Sequence, residues 1–178
     1  AKMGVTGSLA YGKIEEADMD FDVIFAGSLA ENARVIAKIY ELAREPKRKV
    51  FEFGKLWPIR IYHENYLICP FFVYADPADA PLAQARVSLL RAGISGEAMV
   101  ADDSRSCYLP ITLGLEDAAL VGGGPRSLRL SCYDGSIRGE YRKGDRVRFR
   151  DARLLEVEVG SGKFPMISID FHKQMGKA

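Results

Sequence analysis

Two aspartates one residue apart, Asp18 and Asp20, follow a Gly-Ser pair after a gap of nine residues. They lead into an apolar segment, residues 21–25, that has the character of a β-strand. Side chains alternate across a strand, so both carboxylates would share one face and would repel each other unless a proton or a cation lay between them. A divalent metal is the natural partner, and hard Mg²⁺ prefers such oxygen ligands. The spacing therefore predicts a Mg²⁺ (or Mn²⁺) site at Asp18 and Asp20.

The Gly-Ser pair suits a phosphate. Gly7 lets a backbone approach a ligand closely, and Ser8 can donate a hydrogen bond to a phosphate oxygen. A phosphate cradle beside a metal-binding carboxylate pair is what nucleotidyl transfer requires. Each motif also has an ordinary structural interpretation, since Gly-Ser is common in turns and Asp-x-Asp can be a solvated turn or a helix cap.

The order Gly-Ser, nine residues, Asp-x-Asp and apolar strand resembles the signature of the DNA polymerase beta-like nucleotidyltransferase superfamily. The resemblance covers residues 5–25 closely and the first 75 residues loosely. The whole layout is also similar, more faintly, to archaeal predicted nucleotidyltransferases with a small β domain after the catalytic core. The resemblance implies that Gly7 and Ser8 hold the phosphates of an NTP and that Asp18 and Asp20 bind the metal. It further implies transfer of the NMP to a hydroxyl acceptor.

A third carboxylate usually completes the site in that family, on a later central strand. Glu52 is the candidate catalytic residue here, because it alternates with two phenylalanines and would point away from their face. A polar residue on the solvent side of an amphipathic strand is the equal alternative. The strand at residues 66–73, where the acid is expected, carries Cys69 and no carboxylate. Asp22 would share the face of the aspartate pair, either as a ligand or as a neighbour.

A binding module is therefore the competing function. In that alternative the chain keeps the nucleotidyltransferase fold, has lost catalysis, and binds a nucleotide or a nucleic acid. An intact third carboxylate would favour the enzyme, and its absence would favour binding.

The pattern of the chain predicts an α+β fold. A small mixed-sheet, nucleotidyltransferase-like domain (1–80) would be followed by a connecting helix or linker (81–93) and a basic, barrel-like all-β domain (94–178). In the first domain we expect strands at 3–6, 20–25, 50–53, 59–62 and 66–74, a short helix at 8–13 and a helix at 29–43 opened by a capping box of Ser28 and Glu31. In the second part we expect a helix at 82–90, strands at 94–101, 146–159 and 164–171, and a hairpin at 128–141 around Asp134-Gly135.

Positive charge is concentrated in the second domain. Residues 126–153 contain nine basic and four acidic residues, a local net charge of +5, although the whole chain carries only +1. Arg146, Arg148 and Arg150 alternate on an expected strand and would form a stripe. Such a stripe predicts an RNA or DNA partner, although exposed strands also carry arginines simply to prevent aggregation.

Composition is that of an ordinary soluble domain, with 48% apolar and 28% charged residues in 178. No segment has the length and apolarity of a membrane span, and no signal peptide is recognisable, so we expect a cytoplasmic protein. The three cysteines lack the spacing of a zinc site or a disulfide framework and are expected to be reduced thiols. Because the sequence enters the first expected strand almost at once, we expect further sequence to precede Ala1.

Overall fold

Short alternating apolar segments dominate the sequence, and the chain is accordingly mostly sheet. The computed structural model describes residues 1–12, 20–52 and 54–178. Within these ranges the protein has two sheets and one α-helix, which confirms the expected α+β class. The chain divides into two compact units, Ala1–Ala80 and Pro81–Ala178. None of the helices in these ranges combines the length and the apolar character needed to cross a membrane.

The first unit contains a mixed five-stranded sheet. Its strands are β1 (Lys2–Val5), β2 (Asp20–Gly27), β3 (Lys49–Glu52), β4 (Lys55–His63) and β5 (Tyr66–Tyr74). Their order across the sheet is β1-β2-β5-β4-β3. β2 and β5 are parallel, and the other neighbours are antiparallel. The expected strands are all present, each within a few residues of its expected bounds.

One α-helix, α1 (Leu29–Leu42), joins β2 to the β3–β4 hairpin and contacts β2 and β4. The expected capping box is confirmed, because the Ser28 side chain accepts from the Glu31 backbone N–H and the Glu31 carboxylate accepts from the Ser28 N–H. A cap of this kind stabilises a helix by about 1 kcal/mol. Asn32 is fully buried, and its side-chain amide donates to the Val73 carbonyl at 3.0 Å. The start of α1 is thereby fixed to the end of β5.

The second unit contains a six-stranded sheet. Its strands are β6 (Arg86–Arg105), β7 (Ile111–Leu120), β8 (Leu128–Cys132), β9 (Arg146–Val159), β10 (Gly162–Ile169) and β11 (Met175–Lys177). The order is β10-β8-β7-β6-β9-β11, and β10 pairs with β9 as well as with β8. The β8–β10 pairing is parallel and the others are antiparallel. Alternate residues of these strands fill one core, as in Val147 and Phe149 of β9.

The prediction of a helix at residues 82–90 is wrong. β6 begins at Arg86 and pairs with β9, with Arg86 opposite Glu158 and Leu89 opposite Leu155. Gly93, just beyond the expected helix, lies inside β6 with φ +67°, where the register against β9 shifts. A glycine in the left-handed region inside a strand marks a bulge or a bend. The apolar residues of this segment are thus explained by a long bent strand.

The prediction of a hairpin at residues 128–141 is also wrong. β8 ends at Cys132, and Asp134 caps a short 3-10 helix, Gly135–Ile137, by accepting from the Ser136 N–H at 2.9 Å. Gly135 does not have the positive φ that a type I′ turn requires. Aspartate side chains can bond the backbone two residues on, and here this local bond replaces the hairpin turn. Ile137 is buried in the core, so the segment packs inward.

Asp134 also ties two distant segments together. Its Oδ2 accepts from the His172 backbone N–H at 2.8 Å and lies 2.7 Å from His172 Nδ1. Burial alone would raise the pKa of the Asp134 carboxyl, but the hydrogen bonds from Ser136 and His172 hold that pKa well below its usual range. The charged carboxylate is therefore favoured by folding.

We expect Asp134→Ala to lower the free energy of unfolding at pH 7 by about 1–3 kcal/mol, since a partly buried, charge-assisted network is lost. Because the folded pKa is lower than the unfolded one, this stability is present above about pH 4 and is lost as the pH falls further. The difference between wild type and variant in urea unfolding should therefore be largest at pH 7 and smaller at pH 3, where part of it remains because the folded pKa lies well below its usual range. Asp170→Ala, which removes an exposed carboxylate paired with Arg153, serves as the control and should cost less than about 1 kcal/mol. Equal costs for the two variants would contradict the role given to Asp134.

Candidate functional site

The parallel pairing of β2 with β5 assembles a cluster of metal-ligating groups. Asp20 and Asp22 alternate along β2 and therefore share a face. Cys69 of β5 is in register with Asp22. One carboxylate oxygen from each aspartate and the Cys69 Sγ all lie within 4.8 Å of one another. The three side chains are thus held on adjacent strands, where the backbone hydrogen bonds fix their spacing.

Gly7 lies against this cluster. The Thr6 backbone N–H donates to the Asp22 carbonyl at 2.9 Å, which continues the β1–β2 pairing as far as Thr6, the residue before Gly7. Gly7 has φ +66°, and a Cβ added there would lie 2.2 Å from Asp22 Oδ2. Only glycine therefore permits the Asp22 carboxylate to lie so close to the backbone at this point.

Arg60 connects the cluster to Glu52. Its guanidinium nitrogens lie 3.5 Å from Asp20 Oδ2 and 2.5 Å from Glu52 Oε2. The guanidinium also lies 4.5 Å from the centroid of the Trp57 ring, a cation–π geometry. With only 17% of its side chain exposed, Arg60 is a fixed positive charge between two carboxylates.

The electrostatics of the cluster favour a cation. Asp20, Asp22 and Glu52 bring three carboxylates to a region where Arg60 supplies one compensating charge. Asp20 Oδ1 is buried and has no hydrogen-bond partner of normal geometry in the described part of the chain. Burial, reinforced by the neighbouring Asp20 carboxylate, raises the pKa of the Cys69 thiol. The Asp20 and Asp22 carboxylates are thus two neighbouring oxygen donors that could hold a divalent cation.

Only some of the site residues predicted from the sequence belong to this cluster or contact it. Asp18 lies outside the described residues, so its expected pairing with Asp20 is not observed. Asp20 is part of the cluster, and Gly7 contacts it through Asp22. Glu52 lies on the edge strand β3 and reaches Asp20 through Arg60. Ser8 is half-buried in a 3-10 helix, Gly7–Tyr11, so the described part of the segment expected as a helix at residues 8–13 forms this tighter turn.

Cys69 and Arg60 are site residues that sequence reasoning missed. The only signal for Cys69 was its position in the strand where a carboxylate was expected. Arg60 lies in a segment that was predicted as a strand, but nothing local indicated that it would face Asp20. Both depend on which strands are neighbours, and a single sequence does not give that order.

The second unit presents a separate basic surface. Arg146, Arg148 and Arg150 are exposed at alternate positions of β9, so they lie on one face as expected. Glu97 of β6 compensates two of them, with a carboxylate oxygen 2.7 Å from Arg148 and another 3.9 Å from Arg146. The stripe is therefore less positive than the sequence count suggests.

A groove of about 600 Å³ runs beside this stripe. Its lining includes Arg148, Arg150, Lys173 and Lys177, with Glu97 as the acid and the backbone of Gly96 and Gly176. Lys177 is paired with Asp145 at 2.7 Å. Across residues 1–12, 20–52 and 54–178, no carboxylate lies in ion-pair distance of Arg150 or Lys173. These two cations are the ones most available to an anionic ligand.

Comparison of the chain with protein-family models, with curated proteins and with solved structures finds no match. The function must therefore be argued from the geometry of these two sites.

Replacing Gly7 tests whether the close approach of Asp22 requires glycine. Gly7→Ala should be strongly destabilising, because it combines left-handed strain of about 1–2 kcal/mol with a direct clash against Asp22. Gly12→Ala is the matched control, since Gly12 has φ +67° but nothing within 4 Å of its added Cβ. Urea unfolding should show a loss for Gly7→Ala that exceeds the loss for Gly12→Ala by at least about 1 kcal/mol. Similar losses would mean that only the backbone conformation matters at position 7.

Proposed function

We propose that the protein is a metal-dependent nucleotidyltransferase that moves an NMP from an NTP to a hydroxyl acceptor. In this reaction the acceptor hydroxyl attacks the α-phosphate in line, a new phosphoester bond forms, and pyrophosphate leaves with the electrons of the broken P–O bond. The proton of the attacking hydroxyl passes to a base or to water. The observation that carries the proposal is the contact of Gly7 with Asp22 beside Asp20. It brings Gly7 of the Gly-Ser pair next to the strand that carries Asp20 of the Asp-x-Asp pair.

The fold of the first unit supports this proposal. A glycine turn after β1 precedes an acidic strand, β2, and α1 follows it before the chain returns to a parallel neighbour, β5. We infer from this order that the unit has a nucleotidyltransferase-like arrangement. Fold alone does not establish activity, so the argument depends on the residues of the site.

Each residue then has a chemical task. Asp18, Asp20 and Asp22 would hold one or two Mg²⁺ (or Mn²⁺) ions, which supply charge stabilisation for the attacking and leaving oxygens. The bare backbone at Gly7 leaves room for a phosphate, and the Ser8 hydroxyl can donate to it. Glu52 is the candidate base, and its carboxylate is paired with Arg60.

A specific observation favours the alternative, a catalytically inactive module that binds a nucleotide or a nucleic acid. Cys69 occupies the strand position where the family resemblance leads us to expect a carboxylate, and Glu52 is engaged by Arg60. A protein with these features could retain NTP and lose transfer.

The second unit is the proposed acceptor-binding part. The pairings β9–β6, β6–β7, β7–β8, β8–β10 and β10–β9 return to their starting strand. We infer a small barrel-like domain, similar to the five-stranded OB type, which commonly binds oligonucleotides. RNA or DNA would bind through the basic stripe of Arg146, Arg148 and Arg150 and the groove beside it.

Asp20→Asn separates the two candidate functions. Transfer of label from each of the four α-labelled NTPs to a mixed-sequence RNA oligomer should be Mg²⁺-dependent in the wild type and at least about 100-fold slower in the variant, as is usual when a group stabilising the transition state is removed. Asp79→Asn, a surface aspartate in the same unit, should behave like the wild type. Binding of a fluorescent NTP without any transfer would reject the enzyme in favour of the module. Absence of both would reject the two together.

Nucleic-acid binding by the groove is tested by fluorescence anisotropy with labelled RNA and DNA oligomers across a salt series. Binding should weaken steeply with salt, because neutralised phosphates release counterions. Arg150→Ala/Lys173→Ala should flatten the log–log salt slope by about 1.4, corresponding to two single-strand phosphate contacts. Arg126→Ala/Lys143→Ala removes the same charge from exposed positions outside the groove and should leave the slope nearly unchanged. Failure of the wild type to bind at low salt would remove nucleic acid as a partner.

A further inference from the structure

Cys69 makes the cluster on β2 and β5 chemically unlike a carboxylate-only site. We propose that Asp20, Asp22 and the Cys69 thiolate together bind a thiophilic divalent cation of the Zn²⁺ class. This inference deepens the proposed function, on which it rests for the view that the cluster is a metal site. The site inferred here differs from the Mg²⁺ site of that proposal in its ligands, which include a thiolate, and in the ion that it binds.

The geometry supports three ligands on a rigid frame. Cys69 is completely buried and sits in the middle of β5, directly opposite Asp22. Its sulfur and one oxygen from each aspartate already lie within 4.8 Å of one another. An ideal tetrahedral zinc site holds such atoms about 3.6 Å apart, as follows from metal–ligand distances of 2.0–2.3 Å. Closing these separations by at most about 1.2 Å would therefore suffice, a change within the range of side-chain rotations.

The donor set selects the ion. Mg²⁺ is a hard cation with near-octahedral oxygen coordination, and a thiolate offers it little. Zn²⁺ accepts mixed sulfur and oxygen ligands and leaves a fourth position open for water or substrate when the protein supplies three. On binding, the Cys69 thiol would lose its proton to solvent, because the thiolate is the form that ligates.

A second observation points to a ligand at the same place. The two oxygens of Asp20 have different surroundings: Oδ2 is paired with Arg60, whereas Oδ1 is buried and has no conventional hydrogen-bond partner in the described chain. Arg60 would then hold the ligating carboxylate from outside, as hydrogen-bonding neighbours of metal ligands do. Asp20, Asp22, Glu52 and a Cys69 thiolate would carry four negative charges, and a dication together with the Arg60 guanidinium would compensate three of them. The cluster is thus arranged as a ligand set with a supporting partner.

Cadmium titration of the full chain tests this proposal without any activity assay. Cd²⁺ stands in for Zn²⁺ and gives an ultraviolet charge-transfer band only when a thiolate binds it. The wild type should develop this band to a stoichiometry of one ion per chain, and Zn²⁺ should displace it. Cys69→Ser should abolish the band and weaken Zn²⁺ binding, measured by chelator competition, by at least about tenfold, since even loss of an outer partner costs that much.

The other two cysteines provide the matched controls. Cys107 and Cys132 are also buried free thiols but belong to the second unit, so Cys107→Ser and Cys132→Ser should keep the full band. Asp20→Asn and Asp22→Asn should retain a band at saturation but require more Cd²⁺ to reach it. No band in the wild type, or a band that survives Cys69→Ser, would overturn the proposal. Absence of the wild-type band does so even if a variant fails to fold, and retention of the band in Cys107→Ser and Cys132→Ser then assigns it to Cys69.

The metal result and the transfer result can differ, which keeps the two proposals separable. A Cys69-dependent band without nucleotidyl transfer would support the thiolate site and reject the enzyme. Mg²⁺-dependent transfer without a band would support the enzyme and reject the thiolate site. Cys69→Asp adds a sharper comparison: the change should abolish the Cd²⁺ band and increase Mg²⁺ or Mn²⁺ affinity by roughly tenfold, because an oxygen ligand replaces sulfur.

Discussion

The parallel pairing of β2 with β5 is the constraint on which the first unit depends. It places Cys69 opposite Asp22, and β4, which carries Arg60, pairs with the other edge of β5. A parallel pair needs a crossover connection, and α1 with the β3–β4 hairpin supplies it. The hairpin also carries Glu52 and Trp57, so the connection that permits the pairing delivers the partners of Arg60 as well. Chain topology and site chemistry are therefore inseparable here.

Local patterns predicted much of the fold. The capping box at Ser28 and Glu31 fixed the start of α1, and alternation placed Asp20 and Asp22 on one face. These features depend on residues a few positions apart, so sequence alone determines them. The two wrong predictions, the helix at 82–90 and the hairpin at 128–141, failed because contacts between residues distant in sequence decide the structure there. Asp134 forms an Asx turn and binds His172, 38 positions away, and this combination overrode the turn preference of Asp-Gly. Gly93 bends a strand because β9 is there to pair with it.

The site itself was predictable only in part, for the same reason. Gly7 and Asp20 were recognisable because their residue types and spacing are unusual. Cys69 and Arg60 are common residues in ordinary strands, and they become important only through register between strands distant in sequence. Asp18, central to the sequence argument, lies outside the described residues. The features that bear on the choice between an enzyme and a binding module, Cys69 in place of a carboxylate and the Arg60–Glu52 ion pair, thus depend on contacts that no local sequence pattern encodes.

The approach of Asp22 to Gly7 restricts which substitutions positions 7 and 22 can accept. Asparagine tolerates the left-handed backbone that glycine adopts at position 7, yet its Cβ would collide with the Asp22 carboxylate. A side chain could enter position 7 only in a lineage where residue 22 had first become smaller. Among diverged copies of this chain, the two positions should therefore change together and in that order. In such a relative, substitutions at both positions would indicate loss of the acidic site more clearly than a substitution at either position alone.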